Sequence, residues 1–176
     1  LSIGYDFLDN VSFASTFYDS SISNVLNRNT STGGYNELID IEQKGVENSL
    51  NFKNESQNLI LTSIFSKSRE GNGRPQLRRP EQQFGIKYSQ KLKSEIIGPF
   101  RFNYDYRHIG RVEDWKDGAI RAKVDSTDIM NISLIKEINK INWSLNITNL
   151  TDEIYERPDT YNQEGRKIGL SFMSKY

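Results

Sequence analysis

The sequence predicts an all-β fold, part of an antiparallel up-and-down transmembrane β-barrel, with about nine strands present out of about 22 in the closed cylinder. Three observations lead there. The chain ends on Ile168, Leu170, Phe172 and Tyr176 alternating with Lys167, Gly169, Ser171 and Lys175, so its last residue is aromatic. A period of two with one apolar and one polar side describes a strand between two solvents, which in an outer-membrane barrel are lipid and lumen. Segments of strand character recur at intervals of about twenty residues, the rhythm of a meander. The connections between them alternate strictly between short and long, as tight periplasmic turns and long extracellular loops do.

Taken in order, strands are expected near residues 1–8, 11–24, 36–52, 57–68, 81–91, 98–112, 126–137, 141–150 and 165–176. The first lies in an alternating stretch beginning at Leu1 with no signal-peptide pattern, so residues 1–176 read as the C-terminal part of a longer barrel chain. Leu8-Asp9-Asn10 separates it from the second. The third and fourth, joined by Lys53-Asn54-Glu55-Ser56, are less clean: Leu38, Ile39 and Ile41, then Leu59 to Leu61, mix the two faces, as a bulge or a buried face would. The fifth sets Phe84, Ile86 and Tyr88 against Gln83, Gly85 and Lys87. The sixth, after a short connection at 91–97, is the clearest: Phe100, Phe102, Tyr104 and Tyr106 oppose Arg101, Asn103, Asp105 and Arg107. The seventh turns through Glu137-Ile138-Asn139-Lys140 into the eighth, where Ile141, Trp143, Leu145 and Ile147 oppose Asn142, Ser144, Asn146 and Thr148. The long connections are 25–35, 69–80, 115–125 and 151–164.

Aromatic residues provide an independent check on the direction. Phe13, Phe52, Tyr88, Phe100, Trp143 and Tyr176 all fall near the short-turn end, where an interfacial girdle belongs. Lys plus Arg and Asp plus Glu number 23 each, so no net field recruits nucleic acid. The mean hydropathy of −0.68 and the lack of an apolar run of roughly 18 residues exclude a helical membrane protein. They do not touch a barrel, whose strands are half polar. The absence of cysteine fits an envelope or a cytosolic protein equally. Nine strands cannot close, because single-chain bacterial barrels have an even number and an open edge in hydrocarbon leaves backbone groups unpaired.

The segment Asn146-Ile147-Thr148-Asn149-Leu150-Thr151-Asp152-Glu153-Ile154-Tyr155-Glu156 resembles the N-L-x-D-x-x-Y element near the end of TonB-dependent outer-membrane receptors. Tyr161-Asn162-Gln163-Glu164-Gly165-Arg166 resembles the Y-N-x-x-G-R that precedes their final strand, and Tyr176 is their terminal aromatic. Gly45-Val46-Glu47 and Leu77-Arg78-Arg79-Pro80 are similar to further elements of the family. The resemblance covers essentially the whole chain and is nearest to the cobalamin and siderophore receptors. It implies a receptor in the outer membrane of a Gram-negative bacterium. Such a receptor takes up a scarce nutrient such as cobalamin or an iron chelate, with energy from the TonB complex reached through an upstream plug domain. It also implies contact with membrane lipid and lipopolysaccharide, and no catalysis. A passive porin is the alternative. Within the motif, Asn149 and Asp152 are suited to bonding backbone groups where the eighth strand leaves the sheet, with Leu150 and Tyr155 packed beneath and Gly165 in a conformation closed to other residues.

No cofactor or metal site is expected. His108, the single histidine, continues the apolar face of the sixth strand and is expected to be packed or interfacial. Glu113, Asp114 and Asp117 flank Trp115 without the regular spacing of a calcium loop, which predicts a solvated loop. Gly71, Gly73 and Arg74 have no strand and helix around them to make a phosphate loop. The candidates for ligand contact at the outer mouth are Arg69, Arg74, Arg78, Arg79 and Trp115, since guanidinium groups on long loops suit anionic ligands and a charged solvated loop is the other reading. A hydrolase would need a nucleophile and a base, and no such pair is evident.

Overall fold

The computed structural model describes residues 1–28, 34–116, 120–157 and 161–174. Among them the strands are β1 (Ser2–Leu8), β2 (Val11–Arg28), β3 (Tyr35–Lys53), β4 (Gln57–Glu70), β5 (Gln82–Ser94), β6 (Gly98–Ile109), β7 (Val112–Lys116), β8 (Ile120–Val124), β9 (Thr127–Ile138), β10 (Ile141–Thr148) and β11 (Lys167–Ser174). Nine of them form one antiparallel sheet in the order β1-β2-β3-β4-β5-β6-β9-β10-β11, while β7 and β8 pair only with each other. The meander is the one the alternation predicts. Two of the predicted long connections contain strand residues. In the connection at 25–35, residues 25–28 extend β2, with Val25 and Leu26 paired with Ile39 and Leu38, and residues 29–33 lie outside the described ones. The connection at 115–125 carries the β7-β8 hairpin, in which Asp114 pairs with Ala122 and Val112 with Val124.

The mixed pattern of the third strand has a physical cause. Ile39 and Ile41 share one face of β3, where Ile41 is buried and Ile39 half-buried, while Leu38 stands exposed on the other. The irregularity that accompanies them lies in β2, whose register with β3 shifts between Ile22 and Val25, around Asn24 at φ 59°. An extra residue in one strand moves its later side chains to the opposite face, which brings Val25 to the side of Ile39.

Cross-strand register assigns every side chain in the sheet to one of two faces. One row runs Val11, Phe52, Leu59, Tyr88, Tyr104, Ile132, Ile147, Ile168 across eight strands without a polar interruption other than two tyrosines. Two residues nearer the short turns of β6 and β10, Phe102, Leu134, Leu145 and Leu170 form a second row. The opposite face is amide and hydroxyl: Ser89, Asn103, Ser133, Asn146 and Gly169 stand in register. Phe13, Phe52, Tyr88, Phe100 and Trp143 all lie on the apolar face, and Tyr176 is outside the described residues. Gly45 on the polar face is required by close approach, since a Cβ there would meet the Tyr18 hydroxyl at 2.7 Å and the Phe65 carbonyl at 2.5 Å.

The first of these rows also measures the tilt of the strands. Val11 is the first residue of β2 after its short turn and Ile147 is the seventh residue of β10 after its own, so the row drifts six positions over six strand-to-strand steps. One residue of rise, about 3.3 Å, per inter-strand spacing of about 4.8 Å inclines the strands by about 35°. This lies in the range that barrel closure needs.

Burial is inverted relative to a soluble sheet. Leu145 and Trp143, on the apolar face of the inner strand β10, are 40% and 38% exposed, while Asp114 and Glu70 are 1% and 5% exposed. The buried residues Ser68, Glu70, Val112, Asp114 and Thr127 gather at the long-loop end.

Candidate functional site

At that end β4 outruns its partner. Its pairing with β5 stops at Phe65 opposite Gln82, and the chain from Glu70 to Gln82 folds back over the free part of β4. Gln76 N–H donates to the Ser68 carbonyl at 2.9 Å, Ser68 Oγ–H donates to Gln76 Oε1 at 2.5 Å, and Ser66 N–H donates to the Glu81 carbonyl at 2.9 Å. The β7-β8 hairpin then docks on this segment through arginines. Arg121 reaches the carboxylate of Glu70, donates to the Pro75 carbonyl at 2.8 Å and to Glu113 at 3.4 Å, and lies 5.4 Å over the Trp115 ring. Arg78 clamps the hairpin from the other chain segment, its backbone N–H on the Glu113 carbonyl and its Nε–H on Asp114 Oδ1, both at 2.8 Å. The buried carboxylates are tolerated in this interior because each meets a guanidinium group at hydrogen-bond distance, while Arg121 Nε is left without a partner among the described residues.

A third arginine closes the base of the hairpin. One Nη of Arg157 donates to the carbonyls of Ile109, Gly110 and Asp125 at 3.2–3.3 Å, tying the exit from β6 to the entry into β9. Burial lowers the pKa of this guanidinium from its ordinary value. The cause is the loss of water around its charge, with the neighbouring Tyr155 acting in the opposite direction.

The motif segment before Arg157 is organised by Asn149, which is buried at φ 50°. Its Nδ2 donates to the Glu153 carbonyl at 2.9 Å and the Glu164 carbonyl at 3.3 Å, and its Oδ1 accepts from Glu153 N–H at 2.8 Å. Asp152, at φ 57°, accepts from Arg166 N–H at 2.7 Å and lies 3.7 Å from the Arg166 guanidinium. Leu150 N–H donates to the Met130 carbonyl at 2.7 Å, and Leu150 and Tyr155 are half-buried. Asn162 bridges to Glu156, and Gln163 N–H donates to the carbonyl of Tyr155 at 2.9 Å, while Tyr161 is exposed.

Several expectations need correction here. Gly165 is not in a left-handed conformation; a Cβ there would come within 2.9 Å of Asp152 Oδ1, so its reason is space. Within the motif the left-handed residues are Asn149 and Asp152. The acidic residues around Trp115 are not a solvated loop, because Asp114 is buried against Arg78 and Glu113 is held by Arg121; Asp117 lies outside the described residues. Arg69 pairs with Glu81 at 2.5 Å. Arg78 and Trp115 are therefore brought together on Asp114 as parts of one platform, Arg69 faces the other side of the sheet and pairs with Glu81 there, and Arg74 and Arg79 are exposed and form no ion pair among the described residues. His108 sits on the apolar face as expected, its ring 5.7 Å from that of Phe84 and its Nδ1 2.9 Å from Asp128 Oδ1. Sequence reasoning missed Arg121 and Arg157. The only signal was a cation inside an alternating five-residue stretch for the first, and one directly after the motif for the second.

Among the described residues no group of three or more His, Asp or Glu side chains could hold a metal ion. No family model matches the sequence, and no curated relative does. Solved structures do match. The ferripyoverdine receptor of the outer membrane of Pseudomonas aeruginosa superposes with a TM-score of 0.78 at 14% identity, over 97% of this chain and 26% of its own. The ferric-catecholate import receptor Fiu of Escherichia coli K12 gives 0.73 at 18% identity, over 96% and 26%. The ferric yersiniabactin uptake receptor FyuA of Yersinia pestis gives 0.73 at 14% identity, over 97% and 28%. The chain has the fold of a barrel segment from outer-membrane receptors, the group its motifs resemble. It spans about a quarter of the length of these proteins.

Proposed function

We propose that the chain is the C-terminal part of the barrel of a TonB-dependent receptor in the outer membrane of a Gram-negative bacterium, and that the whole protein takes up a ferric chelate. The observation that carries this reading is the exposed apolar face, continuous across eight strands at the inclination of a barrel wall. Water does not tolerate such a surface, whereas lipid does. The polar face then lines the lumen around a plug supplied from upstream, and upstream strands complete the cylinder. The platform of β7, β8 and the 71–81 segment stands at the outer mouth, with Arg74, Arg79 and the edge of Trp115 placed for contact with an anionic ligand. The structural neighbours are receptors of ferripyoverdine, ferric catecholate and ferric yersiniabactin, which favours an iron chelate over cobalamin as the cargo.

Uptake by cells carrying the intact gene tests the reading. Radiolabelled iron chelates and cobalamin are each supplied to cells with and without a functional TonB complex. Uptake of an iron chelate that disappears without TonB is the expected result. Uptake that persists without TonB identifies a passive channel instead.

A further inference from the structure

Lys44 on β3 lies directly opposite Lys67 on β4, on the face that carries the apolar rows. Directly opposed like charges destabilise a sheet. Both side chains are exposed, and among the described residues neither forms an ion pair. Asp19 faces Lys44 from its other side and balances at most one of the two charges. Glu42, one row further toward the loops, stands opposite Arg69, and Glu81, on the same groove, is already held by that arginine.

The position of the pair is as informative as its charge. Phe17, Val46 and Phe65 form the last apolar row shared by β2, β3 and β4, and Asp19, Lys44 and Lys67 form the next row toward the loops. A groove of about 680 Å³ crosses this boundary, with the three apolar residues on one side and the two lysines on the other. Its section is that of an amphiphile with an anionic head.

We infer that Lys44 and Lys67 clamp a phosphate group of an outer-leaflet lipid, whose hydrocarbon lies along Phe17, Val46 and Phe65. The inference rests on the membrane reading above. A phosphate between the two ammonium groups turns one repulsion into two attractions, and the apolar half of the groove selects a lipid phosphate over a free one.

The test uses the intact protein in a non-ionic detergent with three probes: diphosphorylated lipid A, the same lipid without phosphates, and inorganic pyrophosphate. Native mass spectrometry is expected to show binding of the diphosphorylated lipid at least tenfold tighter than of its dephosphorylated form. K44Q/K67Q is expected to weaken that binding about 25-fold, taking about fivefold for each neutralised cation near a lipid phosphate. Without lipid, the double variant should melt no lower than the parent, because the change removes a repulsion. Equal lipid binding by variant and parent would overturn the clamp, and so would a lipid-free variant that melts lower. Pyrophosphate binding as tight as that of the lipid would overturn the lipid assignment. Recovery of the intact protein in the outer-membrane fraction is scored separately, so failure of the membrane reading is seen apart from failure of the clamp.

Discussion

The short-turn half of the sheet and its loop half solve opposite problems with the same strands. Near the short turns, large apolar side chains stand exposed in rows, and only backbone pairing and lateral side-chain contact hold them, such as Trp143 and Phe172 at 5.7 Å. Near the loops, the carboxylates of Glu70 and Asp114 are buried and each is matched by a guanidinium group. The difference teaches that the wall is stabilised by its surroundings, whereas the platform is stabilised from within. Substitutions that respect one half should therefore fail in the other.

The largest effect is expected at the platform. Arg121→Ala leaves Glu70 buried without its cation, which costs about 3 kcal/mol and raises local opening of β7 and β8 by roughly a hundredfold. Amide hydrogen exchange over Val112–Lys116 and Ile120–Val124 would report it, while the β10 amides should not change. If β7 and β8 stay protected, Arg121 is not the pin. The second effect contrasts the two faces of a single strand. Leu145→Arg places a charge on the apolar face and is expected to cost about 2–4 kcal/mol in vesicles, whereas Ser144→Arg on the polar face should cost under about 1 kcal/mol. Guanidinium unfolding of the intact protein from lipid vesicles measures both. Equal costs would remove the distinction between lipid and lumen.

A smaller effect separates the motif from the wall. Asn149→Ala removes two donated bonds and one accepted bond at a buried residue and leaves alanine at φ 50°, for an expected loss of about 2 kcal/mol. The loss should be local, seen as faster proteolysis within 150–166 with the melting of β1 to β6 unchanged.

The wall was legible in the sequence and the platform was not, for a physical reason. Period-two alternation repeats in every wall strand because each one meets the same two solvents, so Phe100 to Tyr106 and Ile141 to Ile147 announce their faces directly. The β7-β8 hairpin meets neither. Its sides are set by where Arg78 and Arg121 can reach, and pairings such as Arg121 with Glu70 span 51 residues, which no local pattern carries. The motif falls between these cases. Asn149 and Asp152 were readable as backbone-bonding residues, but the space that Gly165 leaves for Asp152 exists only once the loop has closed.

The smallest effect examines an exception within the wall itself. On the apolar face Ser15, Asn48 and Ser63 stand in register across β2, β3 and β4, between the apolar row of Phe13, Leu50 and Leu61 and that of Phe17, Val46 and Phe65. Ser15 Oγ–H donates to Asn48 Oδ1 at 2.7 Å, and Asn48 Nδ2–H donates to Ser63 Oγ at 3.2 Å, so the polar groups satisfy one another sideways. Lateral hydrogen bonds of this kind in a membrane contribute about 0.6 kcal/mol each. Asn48→Leu alone should therefore cost about 1 kcal/mol, because it strands two hydroxyl groups in an apolar setting. The triple change Ser15→Ala, Asn48→Leu, Ser63→Ala should be neutral within about 0.5 kcal/mol, since removing all partners leaves nothing unsatisfied. Unfolding from vesicles distinguishes the two. A triple variant less stable than Asn48→Leu would mean that the ribbon contributes more than mutual satisfaction, and the wall would then share with the platform its dependence on matched polar groups.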